Sequence, residues 1–563
     1  MMRILLALIL LSAVAARAGA PSQAAIASAH PLATEAGETI LHQGGNAFDA
    51  AVAVAAALGV VEPYSSGLGG GGFWMLHRAD DGHEVMLDAR ETAPGRATAD
   101  MYQNDEGEVQ RKWATEGPSA AGIPGQPAAF VHLAEQYGEL PLSETLAPAI
   151  ELAEDGFKVG ESYRDMANWR KDVLNDFAQA RSIFLHNGRV PGKGWRLQQP
   201  QLADTLEKIA QEGRAGFYQG EVARKLVEGV QLNGGLWNRK DLENYKVIER
   251  EPITGTFRNA RIISAAPPSS GGIVLLEMLH ILETFNGGDI DASLFPHLAV
   301  ESMRRAYRDR AEHLGDPDFV DMPVDKLLSR DYAKQLASSI DADEATPSEE
   351  LDPAVGQAPG GKDTTHLSVL DSEGNRVSAT LSINLPFGSG FVPKGTGVVL
   401  NNEMDDFSAK PGEPNAYGLI GSQANSIAPG KRPLSSMTPT FVEFDNKVAL
   451  LGTPGGSRII TMVMLGVLEA LEGKPPKDWV ARTRFHHQYL PDKVEAEPSF
   501  IGSEAGKSLL VRDHELESAG RRYGDMQAIL WNRESGKVRA ASDPRGMGVA
   551  LRIPVNEEAA NEA

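Results

Sequence analysis

The periodicity of the chain lapses between residues 339 and 361, and the patterns on either side of that lapse restrict the fold. The segment SIDADEATPSEELDPAVGQAPGG is acidic, rich in Pro and Gly and aperiodic, so it reads as an exposed loop or linker. Before it, helical patterns dominate: SETLAPAIELAEDG, LADTLEKIAQEG and GGIVLLEMLHILETF. After it, THLSVLD, a SEGN turn and RVSATLSIN predict a hairpin with alternating faces. GVVLNNEMDDF and KVALLGTPGGSRII add strand-like runs, TMVMLGVLEALEG a helix, and AILWNRESGKVRAASDPR another hairpin. Helices, then strands, then helices again suit a layered sheet-and-helix domain.

Near the start, GGNAFDAAVAVAAALGVVEP predicts a small-residue helix from Ala47 to about Leu58, because Ala and Gly let backbones approach closely. Four glycines, Gly69 to Gly72, precede Phe73 and Trp74 and predict a close backbone approach followed by a strand. EVMLDARETAP predicts a second strand ending at Arg90. LAVESMRRAYRDRAEHLGDPDF predicts an amphipathic helix whose basic stripe is a solvated face with internal ion pairs.

The first twenty residues differ from the rest. Arg3, an apolar run from Ile4 and the small-x-small triplets Ala16-Arg17-Ala18 and Ala18-Gly19-Ala20 read as a cleaved secretory signal, placing the protein in a bacterial periplasm or outside the cell. The chain has no cysteine, which excludes disulfides, Cys-based zinc sites and thiol catalysis. A formal net charge of −22 disfavours nucleic acid and anionic membranes as partners. An anionic substrate group would therefore need a local cation.

Thr364 stands where the linker meets the first strand. A Thr hydroxyl is a weak nucleophile and needs a neighbouring base. If the Asp363–Thr364 bond is cut, the new α-amine lies on the same residue as the hydroxyl. With a reference pKa of roughly 7.7–8.0, that amine can take the proton near neutral pH. Taken alone, a Thr pair here is ordinary β-propensity.

Its company changes the reading. TTHLSVLDSEGNRVSATLSINLPFGSGFVPKGTGVVLNNEMDDFSAKPG, KRPLSSMTPTFV and GTPGGSRII resemble the small subunit of the γ-glutamyltranspeptidases, which are self-cutting N-terminal-nucleophile hydrolases. The resemblance extends upstream to GGNAFDAAVAVAAALGVVEPYSSGLGGGGF, LDARETAP, GIPG and APPSSGG, and downstream to RFHHQYLPD and ASDPR. It implies a four-layer αββα sandwich, an α/β (α+β) fold. After a signal at 1–20, it implies a large subunit of residues 21–363 and a small catalytic subunit of residues 364–563, joined as a heterodimer in one domain.

The resemblance also implies roles. Thr364 matches the nucleophile, with the cut between Asp363 and Thr364. Ser382 matches a hydroxyl residue, usually Thr, near its amine. Asn384 matches a contact to substrate and nucleophile. Glu403 and Asp406 match the pair that holds the α-amino group, and Arg90 with Ser435 and Ser436 matches the α-carboxylate clamp. Gly455 and Gly456 match the oxyanion hole, and Tyr417 the gating aromatic of a lid within AKPGEPNAYGLIGSQAN.

The residue chemistry agrees. A γ-glutamyl group ends in a zwitterion, which takes acceptors for its ammonium and a guanidinium fork for its carboxylate. The loop TPGGSR lacks the lysine of a phosphate-cradling motif. His366, His486 and His487 read as structural, since adjacent His do not share a face and no carboxylate-His spacing supports a metal. The expected partners are glutathione and other γ-glutamyl compounds with amino-acid or dipeptide acceptors, and no metal or cofactor is expected. Two alternatives remain open: a cephalosporin (glutaryl) acylase of the same fold, and an uncleaved γ-glutamyl-binding homologue.

Overall fold

The structure is a computed structural model, described here for residues 19–351 and 364–554. Nearly all of the signal segment, the second half of the linker, Asp363 and the bond before Thr364 lie outside the described residues.

Two antiparallel sheets form the centre. In chain order their strands are β1 (Gln23–Ser28), β2 (Gly71–His77), β3 (Glu84–Ala89), β4 (Ile248–Arg250), β5 (Ile253–Phe257), β6 (Ala260–Ser264), β7 (Thr365–Leu370), β8 (Arg376–Ser382), β9 (Thr440–Phe444), β10 (Lys447–Gly452), β11 (Gln527–Asn532), β12 (Val538–Ser542) and β13 (Val549–Pro554). The seven-stranded sheet has the order β13-β1-β7-β8-β2-β3-β4, and the six-stranded sheet β12-β11-β10-β9-β6-β5.

Strand periodicity sorts side chains into layers. On β2, Trp74 and Leu76 join the core under the helices, while Phe73 and Met75 join the core shared with the second sheet. Helices α1 (Pro31–His42) and α2 (Ala47–Val61) cover the first sheet. Helices α3 (Gly271–Glu283), α4 (Phe295–His313) and α5 (Ile459–Leu471) cover the second. The result is the expected αββα sandwich. Among the described residues no helix is long and apolar enough to cross a membrane.

Helix α2 is apolar all round, as a helix buried between layers must be. Asn46 caps it in a capping box with Asp49. It runs to Val61, three residues past the sequence expectation. The glycines after it do allow a close approach: a Cβ on Gly69 would overlap the Val399 carbonyl, and one on Gly70 the Ser382 carbonyl.

Three expectations are corrected. The basic stripe of α4 is not solvated: Arg304, Arg305 and Arg310 are buried. The internal pairs do form, from Glu301 to Arg304 and Arg305, but the guanidinium groups also anchor the start of the linker. Arg305 donates to the Ser339 carbonyl (2.9 Å) and Arg304 to Ser348 Oγ (2.6 Å). For the same reason the linker is not exposed throughout, since Ser348 is fully buried and donates to the Tyr489 carbonyl. Lastly, GVVLNNEMDDF forms no strand and ends in a 3-10 turn over Glu403–Asp406. Asn401 and Asn402 bond locally and to a neighbouring loop instead: Glu403 N–H donates to Asn401 Oδ1 (3.0 Å), and Asn402 Oδ1 accepts from Leu385 N–H (3.0 Å). Side chains that bond the backbone locally compete with sheet ladders.

Candidate active site

Register brings the first residues together. Thr365 pairs with Leu381, so Thr364 stands opposite Ser382 at one edge of the first sheet. Both line one pocket with Arg90, Arg310, Asn384, Glu403, Asp406, Tyr417, Ser435, Ser436 and Gly456. Sequence-distant residues from both sides of the linker thus share one site. Gly455 is the exception: it lines a neighbouring cavity that also reaches Thr364.

The polar floor is built on Arg90, at the end of β3. Its backbone N–H is held by Asp88 (3.0 Å) and its Nε donates to the Pro433 carbonyl (3.3 Å). Its other nitrogens pair with Glu403 (2.9 Å) and Asp406. Glu91, unremarked in the sequence, lies 3.7 Å from the same guanidinium, and its oxygens have no hydrogen-bond partner among the described residues. Burial opposes the Arg90 charge, but Glu403, Asp406 and Glu91 outweigh it and hold its pKa above the ordinary value. Burial, with Glu91 and Asp406 nearby, pushes the Glu403 carboxyl well above the usual range despite Arg90.

Ser435 and Ser436 face this floor from the loop before β9. The APPSSGG segment splints them: Ser435 N–H donates to the Pro268 carbonyl (2.8 Å), and Ser270 N–H to the Ser435 carbonyl (2.9 Å). Asn384 adopts a left-handed backbone, φ 72°, and donates its amide to the Asn402 carbonyl (2.8 Å). The Tyr417 hydroxyl donates to the Asn384 carbonyl (2.9 Å). A Cβ on Gly456 would overlap the Tyr417 ring, so the Tyr417 loop lies directly on the glycine turn. Asn415 fastens this loop to Asp406 (3.1 Å), and Ser422 fastens it to the end of α4. The space left in the pocket is about 20 Å³, roughly one water. That is too little for an amino-acid-sized group.

The glycine turn precedes α5. Gly455 and Gly456 both have positive φ, 146° and 59°, which a side chain would strain. Backbone N–H groups at a helix start favour negative charge. The loop TPGGSR can therefore stabilise an oxyanion, and the helix start was the signal in the sequence that strengthens this role.

The three histidines are engaged elsewhere. His366 bonds Thr380 (2.8 Å), His486 bonds Thr461 (3.0 Å) and His487 bonds Asp492 (3.1 Å). Burial lowers His366 and His486 to about 3 and His487 to about 4, so all three are neutral.

Glu62, missed in the sequence, lies beside Thr365, the neighbour of Thr364. It accepts from Thr365 Oγ1 (3.0 Å) and the Tyr64 hydroxyl (3.1 Å). Burial pushes its carboxyl up to about 7 from 4.5, and the two bonds offset this only partly. The fold thus prefers protonated Glu62. Its contribution to stability is full below pH 4.5 and is lost as pH rises through 7. Glu62→Gln is expected to be more stable than wild type at pH 8 by about 3 kcal/mol, with little difference at pH 4.5. Equal shifts at both pH values in chemical denaturation would refute this.

With the geometry in hand, comparison with known proteins decides the family. The family model for gamma-glutamyltranspeptidase matches residues 33–553. The chain belongs to the γ-glutamyltranspeptidase family. It is 42% identical over 533 residues to a glutathione hydrolase proenzyme of Escherichia coli (strain K12), covering 93% of this chain and 91% of that one. Among solved structures, a cephalosporin acylase from Bacillus halodurans superposes with a TM-score of 0.83 at 28% identity, covering 94% of this chain and 96% of that one. The Helicobacter pylori γ-glutamyltranspeptidase superposes with a TM-score of 0.56 at 39% identity, covering 58% of this chain and 94% of that one. This γ-glutamyltranspeptidase-family chain is therefore an enzyme with the N-terminal-nucleophile hydrolase fold.

Proposed function

We propose that the chain is a proenzyme that cuts itself before Thr364 and then hydrolyses glutathione and other γ-glutamyl compounds, or transfers the γ-glutamyl group to amino acids or dipeptides. The observation that carries this reading is the pairing of Arg90 with Glu403 and Asp406 in the pocket that Thr364 lines. A buried guanidinium beside an acidic pair offers both halves of a zwitterion a partner: the ammonium takes the acidic pair, the carboxylate takes the guanidinium and the serines. A glutaryl side chain has no ammonium and would leave the acidic pair uncompensated, so the arrangement favours the γ-glutamyl reading over the acylase one.

In the maturation step, Thr364 Oγ attacks the Asp363 carbonyl, the C–N bond breaks, and the resulting ester is opened by water. The freed α-amine then serves as base. It accepts the Oγ proton as Oγ attacks the γ-glutamyl carbonyl, and it returns that proton to the leaving amine. The oxyanion forms against the glycine turn. Water or an acceptor amine resolves the γ-glutamyl ester and restores Thr364. Ser382 Oγ accepts from Asn384 N–H (2.8 Å) and keeps its own proton to donate beside Thr364. The large subunit (21–363) and small subunit (364–563) would remain together as a heterodimer after export to the periplasm or medium.

N-terminal sequencing of the purified protein beside a γ-glutamyl anilide assay tests the reading. A chain beginning Thr-Thr-His with release of the aniline is expected. A different terminus would move the nucleophile, and release only from a glutaryl anilide would favour the acylase. Gly456→Ala keeps its N–H but strains the turn and drives a Cβ into the Tyr417 ring, so kcat is expected to fall about 10²-fold as the oxyanion donors are displaced. Unchanged kcat would remove Gly456 from that role.

A further inference from the structure

The basic stripe of α4 and the APPSSGG segment meet at one point that the chemistry above leaves unused. Arg310 is buried, lines the same pocket as Arg90, and points its guanidinium at the serine pair. Its Nε donates to Ser270 Oγ (3.0 Å) and its Nη2 to Ser436 Oγ (3.3 Å). Among the described residues it has no carboxylate within ion-pair distance, whereas Arg90 already meets Glu403 and Asp406. A buried guanidinium without a counter-charge is costly unless a ligand supplies one.

The hydrogen bonds around it have a direction. A guanidinium only donates, so Ser436 Oγ must accept from Arg310. Ser435 Oγ likewise accepts from Met437 N–H (3.1 Å). Each serine hydroxyl thus keeps its one proton to give into the pocket. Ser270 spends its own proton on the Ser435 carbonyl (2.7 Å), which fixes the loop that carries the pair.

We propose that Arg310 is a positioning residue that selects the substrate's α-carboxylate: it supplies a second positive charge that no carboxylate pairs with directly, and orients the Ser436 hydroxyl to donate to that carboxylate. This rests on the reading of Arg90, Ser435 and Ser436 as the α-carboxylate clamp. Arg310 belongs to the large subunit and Ser436 to the small one, so substrate selection spans the cut.

The test uses the fully cut enzyme, scored on a denaturing gel, with two substrates: a γ-glutamyl anilide and the 4-aminobutyryl anilide, which lacks the α-carboxylate. Wild type is expected to prefer the first strongly. Arg310→Met is expected to raise KM for the γ-glutamyl anilide about 30-fold with kcat within about 3-fold, and to leave kcat/KM for the 4-aminobutyryl anilide unchanged. In a Ser436→Ala background the same substitution is expected to cost clearly less, because the two act through one contact. Equal losses on both substrates, or additive effects with Ser436→Ala, would mean that Arg310 merely supports the fold and would overturn the proposal. Arg310→Lys keeps the charge and guards against misfolding of the Met variant; its KM is expected to fall between the two, and a wild-type KM with additive Ser436→Ala effects would also overturn the proposal. If wild type does not distinguish the two anilides, the clamp reading itself fails, separately from the role of Arg310.

Discussion

Thr364→Ala is expected to run as one chain on a denaturing gel and to turn over a γ-glutamyl anilide about 10⁴-fold or more below wild type. Two functions are lost with one oxygen. The maturation step has no attacking hydroxyl, so the bond after Asp363 persists and no α-amine is released at residue 364. Turnover then lacks both nucleophile and base, and groups that act as one unit fail together. Thr364 sits at the entry to a buried central strand, so the Ala side chain is accommodated and the fold should survive. A Thr364→Ala protein that still splits at this bond would exclude self-cutting by Thr364. One that stays whole but keeps wild-type turnover would exclude its role as nucleophile.

Arg90→Met is the second large effect. Arg90 is the guanidinium that holds Glu403 and Asp406, with Glu91 close by. Removing one partner of a buried pair costs about 3–5 kcal/mol, because the other charge is left uncompensated. Here that cost divides between folding and binding. The variant should lose thermal stability, and kcat/KM for the γ-glutamyl anilide should fall about 10²–10³-fold, mostly through KM. Adding Glu403→Gln tests the division. It removes one orphaned buried carboxyl, so the double variant should recover stability while KM stays high. Recovery of KM as well would mean that Arg90 only supports the floor and does not hold substrate. An unchanged KM in Arg90→Met would end its role as clamp.

Much of the fold was legible because strands write a period of two. THLSVLD and RVSATLSIN became β7 and β8, and the last hairpin became β11 and β12. The site was legible through motifs whose residues meet only in three dimensions, so no spacing along the chain could have joined Arg90 to Glu403. What was misread shares one cause. The α4 stripe looked solvated because Arg is usually exposed, yet Arg304, Arg305 and Arg310 are each held by hydroxyls, carbonyls or a carboxylate from other segments. Those partners are invisible in a helix's own periodicity. Likewise GVVLNNEMDDF reads as a strand, but the Asn401 side chain captures its backbone and Asn402 reaches out to Leu385 instead. Glu62 and Glu91 carried no local signal, since their meaning comes from burial beside Thr365 and Arg90.

The strand order has a consequence for the life history of the molecule. In the first sheet, β7 and β8 from after the cut lie between β1 and β2 from before it, and β13 closes the edge on β1. With the proposed cut before Thr364, the two products would be interleaved within one sheet, so neither could leave without dismantling the core of the other. Before the cut, the chain finds this arrangement as a single tethered molecule. Afterwards, reassembly from denatured pieces becomes a bimolecular event that depends on concentration. On that reading the linker is a folding tether used once, and the cut enzyme would persist through slow unfolding rather than through ready refolding.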